Sequence, residues 1–134
     1  MASPDVETDL IYTLKKEAGS ALPIDIWYEG EMWIFHPIGS IDTTTSSDLE
    51  GTLIEGINQG MRWIILDLTD VRYISSAGIR VFIAAAKTLK EKKGELLFST
   101  PNKNVSDILR LSGLFKIFKV YPDNAAAIRS FTVK

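Results

Sequence analysis

The stretch Arg62 to Gly94, RWIILDLTDVRYISSAGIRVFIAAAKTLKEKKG, decides the fold, because its hydrophobic period changes at a pair of serines. Trp63, Ile64, Ile65, Leu66 and Leu68 form an apolar run broken only by Asp67, as in a strand covered on both faces. A second short apolar patch, Val71, Tyr73 and Ile74, follows Asp70. Beyond it Ile79, Phe82, Ile83, Ala86 and Leu89 recur at helical spacing. Ser75 or Ser76 can start that helix by accepting a hydrogen bond from a free N–H of the first turn. Lys87, Lys90, Lys92 and Lys93 suit its negative C-terminal end, and Gly94 is read as its left-handed cap.

Ser75, Ser76, Ala77 and Gly78 are small, so another chain can approach the backbone closely at this junction. A phosphate on Ser76 would meet unpaired N–H groups and the positive end of the helix dipole. The same phosphate would obstruct a partner that needs a small neutral surface, so the position has the physics of a switch.

Upstream, residues 1–21 read as a polar, acidic tail or loosely packed extension in which Leu10, Ile11 and Leu14 suggest a short amphipathic helix. The domain is expected over residues 22–134. Leu22 to Ser40 reads as a hairpin around Glu29-Gly30-Glu31, with Pro37 at a strand end and His36, the single histidine, as a surface or packed side chain. Gly39-Ser40-Ile41-Asp42 is read as a turn into a helix starting between Thr43 and Ser47. Ser47 with Glu50, or Thr45 with Asp48, has capping-box spacing there. Leu49, Leu53, Ile54 and Ile57 supply that helix's apolar stripe.

Downstream, Glu95 to Ser99 is a short strand. A helix follows Thr100-Pro101-Asn102 and ends near Gly113, Ile117 to Tyr121 is the last strand, and Pro122-Asp123-Asn124 starts a last helix. The expected fold is α/β, a single domain with a small mixed sheet and about four packed helices. Its N-terminal hairpin is antiparallel and its other strands mostly parallel.

The 134 residues, 46% hydrophobic and 24% charged, suit one globular domain. A net charge of −2 gives no basic face for nucleic acid. The absence of cysteine excludes disulfides and thiolate chemistry. No apolar run reaches the roughly 18 residues of a membrane span, and the N-terminus lacks a signal-peptide plan, so a cytoplasmic location without membrane attachment is expected. SSAGI is not a G-x-S-x-G elbow, and His36 is the only histidine that could serve a serine nucleophile as base. Asp25, Asp42, Asp48, Asp67 and Asp70 have no metal-ligand spacing, and no phosphate-binding glycine motif occurs. The expectation is therefore no enzyme, no metal and no cofactor.

In their order and spacing, three motifs carry a resemblance. They are Gly39-Ser40-Ile41-Asp42 with Thr45; Leu66 to Val71 running through Tyr73-Ile74-Ser75-Ser76-Ala77-Gly78-Ile79; and Leu111-Ser112-Gly113-Leu114-Phe115 before the last strand. From about Leu22 to its C-terminus the chain resembles a STAS domain, and within that family the bacterial anti-sigma factor antagonists. The resemblance implies partner switching. Ser76, two positions before Gly78, would be the phosphoacceptor, with Ser75 as the alternative. Ser40, Asp42, Thr43, Thr44, Ser75, Ser76, Gly78 and Arg80 would bind the partner. That partner would be an anti-sigma factor serine kinase of histidine-kinase-like fold, which holds the ATP. A metal-dependent serine phosphatase would reverse the modification, and the sigma factor would be affected only indirectly. The competing reading is a non-switching STAS docking module of a signalling scaffold or of a lipid or anion transport complex.

Overall fold

A computed structural model of the chain describes residues 22–132. The extension expected over residues 1–21 lies outside them. Strands β1 (Ile24–Glu29) and β2 (Met32–Pro37) make the antiparallel hairpin, turned at Gly30, whose φ of +64° is left-handed. There follow β3 (Gly39–Ile41), α1 (Ser46–Asn58), β4 (Trp63–Asp67), β5 (Val71–Ile74) and α2 (Ser76–Glu91). The described chain closes with β6 (Glu95–Ser99), α3 (Lys103–Leu111), a 3-10 turn (Leu114–Lys116), β7 (Val120–Tyr121) and α4 (Asn124–Thr132).

The main sheet has the order β1-β2-β4-β6-β7 and is parallel beyond the hairpin, as expected of a mixed α/β domain, with four helices among the described residues. Both faces are covered, which explains the unbroken apolar runs of β2, β4 and β6. On one face Phe35, Ile64, Leu66 and Phe98 pack with Leu53 of α1, Phe82 of α2 and Leu109 of α3. On the other, Met32, Ile34, Ile65 and Leu97 pack with Ala127 of α4. Phe82 is fully buried, its ring 5.0 Å from that of Phe98, and such a side chain contributes on the order of 2–3 kcal/mol. The apolar stripe therefore fastens α2 more strongly than any cap.

Three local expectations are corrected. Gly39-Ser40-Ile41 is a strand and not a turn; it pairs in parallel with β5 to form a separate two-stranded sheet. Three residues are too few to display a period, so only the pairing reveals it. The last strand is Val120–Tyr121 alone, because the 3-10 turn and the buried Phe118 occupy the chain before it. Gly94 is not the left-handed residue after α2. Lys93 is, at φ 66°, while Gly94 donates its N–H to Leu89 O at 2.7 Å. Gly94 is needed for a different reason: a Cβ there would lie 2.1 Å from the carbonyl oxygen of Arg62.

A non-glycine residue in the left-handed region costs roughly 1–2 kcal/mol, partly offset when glycine loosens the unfolded chain. Lys93→Gly is accordingly expected to raise the unfolding free energy by about 0.5–1 kcal/mol in urea titration; a loss of stability would mean that the Lys93 side chain contributes more than its backbone costs.

Candidate functional site

Strand β5 delivers the chain to Ser75, whose extended backbone (φ −85°, ψ 172°) makes it the N-cap of α2. Its Oγ accepts the Gly78 N–H at 3.3 Å, and its carbonyl accepts the Ile79 N–H at 3.0 Å. Of the two serines that could cap, Ser75 does so. Ser76 is the first helical residue, and it is exposed. Its hydroxyl is thus spared from capping, and the N–H groups of Ser76 and Ala77 are the remaining donors of the first turn.

The loop between β3 and α1 is bound to this junction. Ser75 N–H donates to Ile41 O at 2.8 Å. Gly78 is buried under the same residue: a Cβ there would stand 2.7 Å from Ile41 Cγ2 and 3.3 Å from Ile41 O. Within the loop, Asp42 Oδ1 accepts the N–H groups of Thr44 and Thr45, each at 2.9 Å. The Thr45 hydroxyl donates to Ser40 O at 2.7 Å and accepts the Asp42 N–H at 2.9 Å. Thr45 is the N-cap of α1, with a helical backbone and no side-chain cap bond, so neither expected capping box forms. The Thr45 amide, aided by that of Thr44 and opposed by burial, holds the Asp42 carboxyl below its ordinary range.

Of the residues singled out in the sequence, Thr43, Thr44, Ser76 and Arg80 are exposed, and Ser40, Asp42 and Ser75 are half-buried. Arg80 lies one turn after Ser76, on the same side of α2. Gly78 differs from the rest, since it supports the surface from beneath. Tyr73, which is not among these residues, pairs with Ser40 across β3 and β5 and is 48% exposed. A strand signal at Gly39–Ile41 would have found it.

His36 is also placed differently from a plain surface or core histidine. With both ring nitrogens protonated, Nδ1–H donates to Asp67 Oδ2 at 3.1 Å and Nε2–H to Asp70 Oδ2 at 2.7 Å. Asp67 is buried; its Oδ1 accepts the Thr69 N–H at 3.0 Å and the Thr69 hydroxyl, and its Oδ2 accepts Asn124 Nδ2–H at 3.0 Å. Asn124 in turn accepts the Ser99 hydroxyl. Asp25 lies opposite His36 on β1, and the Trp27 ring is 5.7 Å away. This network joins β2, β4, β6 and α4 to the turn that feeds β5. Each ring nitrogen of His36 is engaged by an aspartate, and neither is bonded to Ser76. No group of three or more His, Asp or Glu among the described residues is arranged to hold a metal ion.

Burial works to lower the His36 pKa, but the hydrogen bonds and charges of Asp70 and Asp67 outweigh it and hold the value above the ordinary 6.5. Burial works to raise that of Asp67, but Thr69, Asn124 and His36 outweigh it and hold the value below 3.8. A raised histidine stabilises fully below 6.5 and loses its contribution as pH climbs through the folded-state value; a lowered aspartate stabilises above 3.8 and loses its contribution as pH falls through its own. The urea midpoint is therefore expected to fall as pH rises above 6.5, with the slope abolished in His36→Gln. An unchanged slope in that variant would place the titrating group elsewhere.

The STAS domain family model matches residues 26–127, most of the chain. The chain belongs to the STAS domain family. Among curated STAS relatives it is similar to BtrV of Bordetella bronchiseptica, at 34% identity over 69% of this chain and 80% of that one. It is also similar to the anti-sigma F factor antagonist of Paenibacillus polymyxa, at 27% identity over 84% of this chain and 97% of that one. Among solved structures the anti-sigma factor antagonist SpoIIAA, unphosphorylated, superposes with a TM-score of 0.70 at 16% identity, over 85% of this chain and 98% of that chain. The phosphorylated form of SpoIIAA, from Bacillus, superposes at 0.63 with 17% identity, over 83% and 99%. At such identities the likeness is one of fold. No helix among the described residues is long and apolar enough to cross a membrane.

Proposed function

We propose that this chain is an anti-sigma factor antagonist that works by partner switching at Ser76. Unphosphorylated, it binds an anti-sigma factor through the Ser40–Thr44 loop and the start of α2, and so frees a sigma factor. The anti-sigma factor is a serine kinase of histidine-kinase-like fold that holds ATP and phosphorylates Ser76. A metal-dependent serine phosphatase reverses the step. The chain is a substrate in this scheme and not an enzyme, and it acts in the cytoplasm.

The observation that carries the reading is the division of labour between the serines. Ser75 holds the cap, which leaves the Ser76 hydroxyl exposed for transfer at the positive end of α2. A phosphate there finds first-turn N–H donors on its own chain and repels a partner closed over the loop. Support also comes from the naming of the relatives as antagonists and from the existence of SpoIIAA in a phosphorylated form.

Pull-down from the native host with wild-type, Ser76→Ala and Ser76→Asp proteins, followed by mass spectrometry of Ser75 and Ser76, tests it. The expected result is an ATP-binding anti-sigma kinase recovered by the first two and lost by the third, with phosphate on Ser76. Equal recovery of a scaffold or transporter by all three, with both serines unmodified, would make the chain a docking module.

A further inference from the structure

At the other end of α2 from Ser76 lies a groove of about 640 Å³, within the size range of small-molecule sites, about 300–1,000 Å³. One side is a helical stripe, Ile83, Ala86, Lys87 and Lys90, at spacings i, i+3, i+4 and i+7. Trp63 and Leu96 line it from the sheet, and Ile117 and Phe118 from the segment that replaces the expected start of the last strand. Ile83 is 44% and Ile117 65% exposed, so two large aliphatic side chains border a single concavity.

The charge in this groove is one-sided. Its one carboxylate, Glu95, is paired with Lys119 at 3.1 Å. Lys87 and Lys90 are exposed and make no ion pair among the described residues. Lysines near a helix C-terminus offset the dipole, but Lys92 and Lys93 sit closer to that end, and Lys87 lies a full turn inside the helix on the groove side.

We propose that the groove binds an anionic amphiphile, a long alkyl chain carrying a carboxylate. The alkyl chain lies along Ile83, Ile117 and Phe118, and the carboxylate sits beside Lys87 and Lys90. Apart from its charged groups the lining side chains are apolar. That suits a hydrocarbon better than a peptide, whose backbone brings an N–H and a C=O at every residue. The proposal is independent of the switch at Ser76.

The test is a titration of the full nitrogen-15-labelled chain with decanoate, and separately with decanol, both below micelle formation. Saturable shifts confined to amides such as Ile83, Lys87, Lys90, Leu96 and Ile117, with those of Ser76 to Arg80 still, are expected from decanoate. The double variant Lys87→Glu, Lys90→Glu should weaken decanoate roughly tenfold and leave decanol unchanged. Ile117→Asp, an exposed position where the fold tolerates charge, should weaken both. Shifts that never saturate, or that scatter over the surface, would overturn the proposal, as would equal decanoate affinity in the charge-reversed protein. A synthetic peptide of residues 5–14, acidic and apolar, that moves the groove amides when decanoate does not would also overturn it and assign the groove to a peptide.

Discussion

Ser76→Asp is expected to bind the proposed anti-sigma partner more weakly than the native chain by about 2–5 kcal/mol in titration calorimetry, while Ser76→Ala is expected to bind at least as tightly as native. The two halves of that expectation have separate physical origins. On the chain itself a carboxylate at the first helical position is favourable by about 0.3–1 kcal/mol, because it meets the positive end of α2 and the first-turn N–H groups. The substituted domain therefore folds. In the proposed interface the same carboxylate would be stripped of water, a cost of several kcal/mol unless the partner supplied a compensating charge. Ser75→Ala is the contrasting change. It removes the hydroxyl that accepts the Gly78 N–H, a loss of about 1 kcal/mol in stability, yet leaves Ser76, the proposed phosphoacceptor, in place. A Ser76→Asp protein that bound as tightly as Ser76→Ala would sink the switch, whatever happened at Ser75.

Much of this architecture was legible because long elements advertise their period. β4 reads as a buried strand from its apolar run, α2 as a helix from its i, i+3, i+4 spacing, and the hairpin from its alternation around Gly30. What the sequence left ambiguous was settled by contacts of high sequence separation. β3 is a strand only because β5 lies beside it, about thirty residues on. Gly94 looked like a helix cap and is instead required by Arg62 O, whose closeness depends on how β4 and β6 pair. The choice of Ser75 over Ser76 as the cap rests on one backbone conformation, which two adjacent serines cannot encode by composition.

The site divides in the same way. The order Ser75-Ser76-Ala77-Gly78 pointed to the junction, and the structure ties the Ser40–Thr45 loop to it by the bond from Ser75 N–H to Ile41 O. His36 carried no local signal. Its partners Asp67 and Asp70 lie 31 and 34 residues away, and they acquire meaning only when β2 and β4 become neighbours. A lone histidine read from sequence is a residue without context. Here parallel pairing of two strands gives it two carboxylates, and gives the domain a pH-dependent fastening of the turn before β5.

Gly78→Val is expected to destabilise the domain by about 1–3 kcal/mol and to weaken partner binding even where the protein remains folded. A Cβ alone would stand 2.7 Å from Ile41 Cγ2 and 3.1 Å from Ile74 Cγ2, and valine adds two methyl groups beyond it. Neither isoleucine can retreat, since Ile41 and Ile74 are buried register partners in the β3–β5 pair. The start of α2 must therefore lift off β3, which stretches the bond from Ser75 N–H to Ile41 O and separates Ser76 from the loop beside it. Thermal unfolding should show a midpoint lower by several degrees. Gly78→Ala should fall between native and valine, because only the Cβ contact is then at stake. Arg80→Ala separates packing from docking: Arg80 is exposed two residues further on, so its loss should leave stability within about 0.5 kcal/mol of native. A Gly78→Val protein as stable as native would mean that α2 and β3 can part without cost, and the loop and the serine would then not be held as one surface.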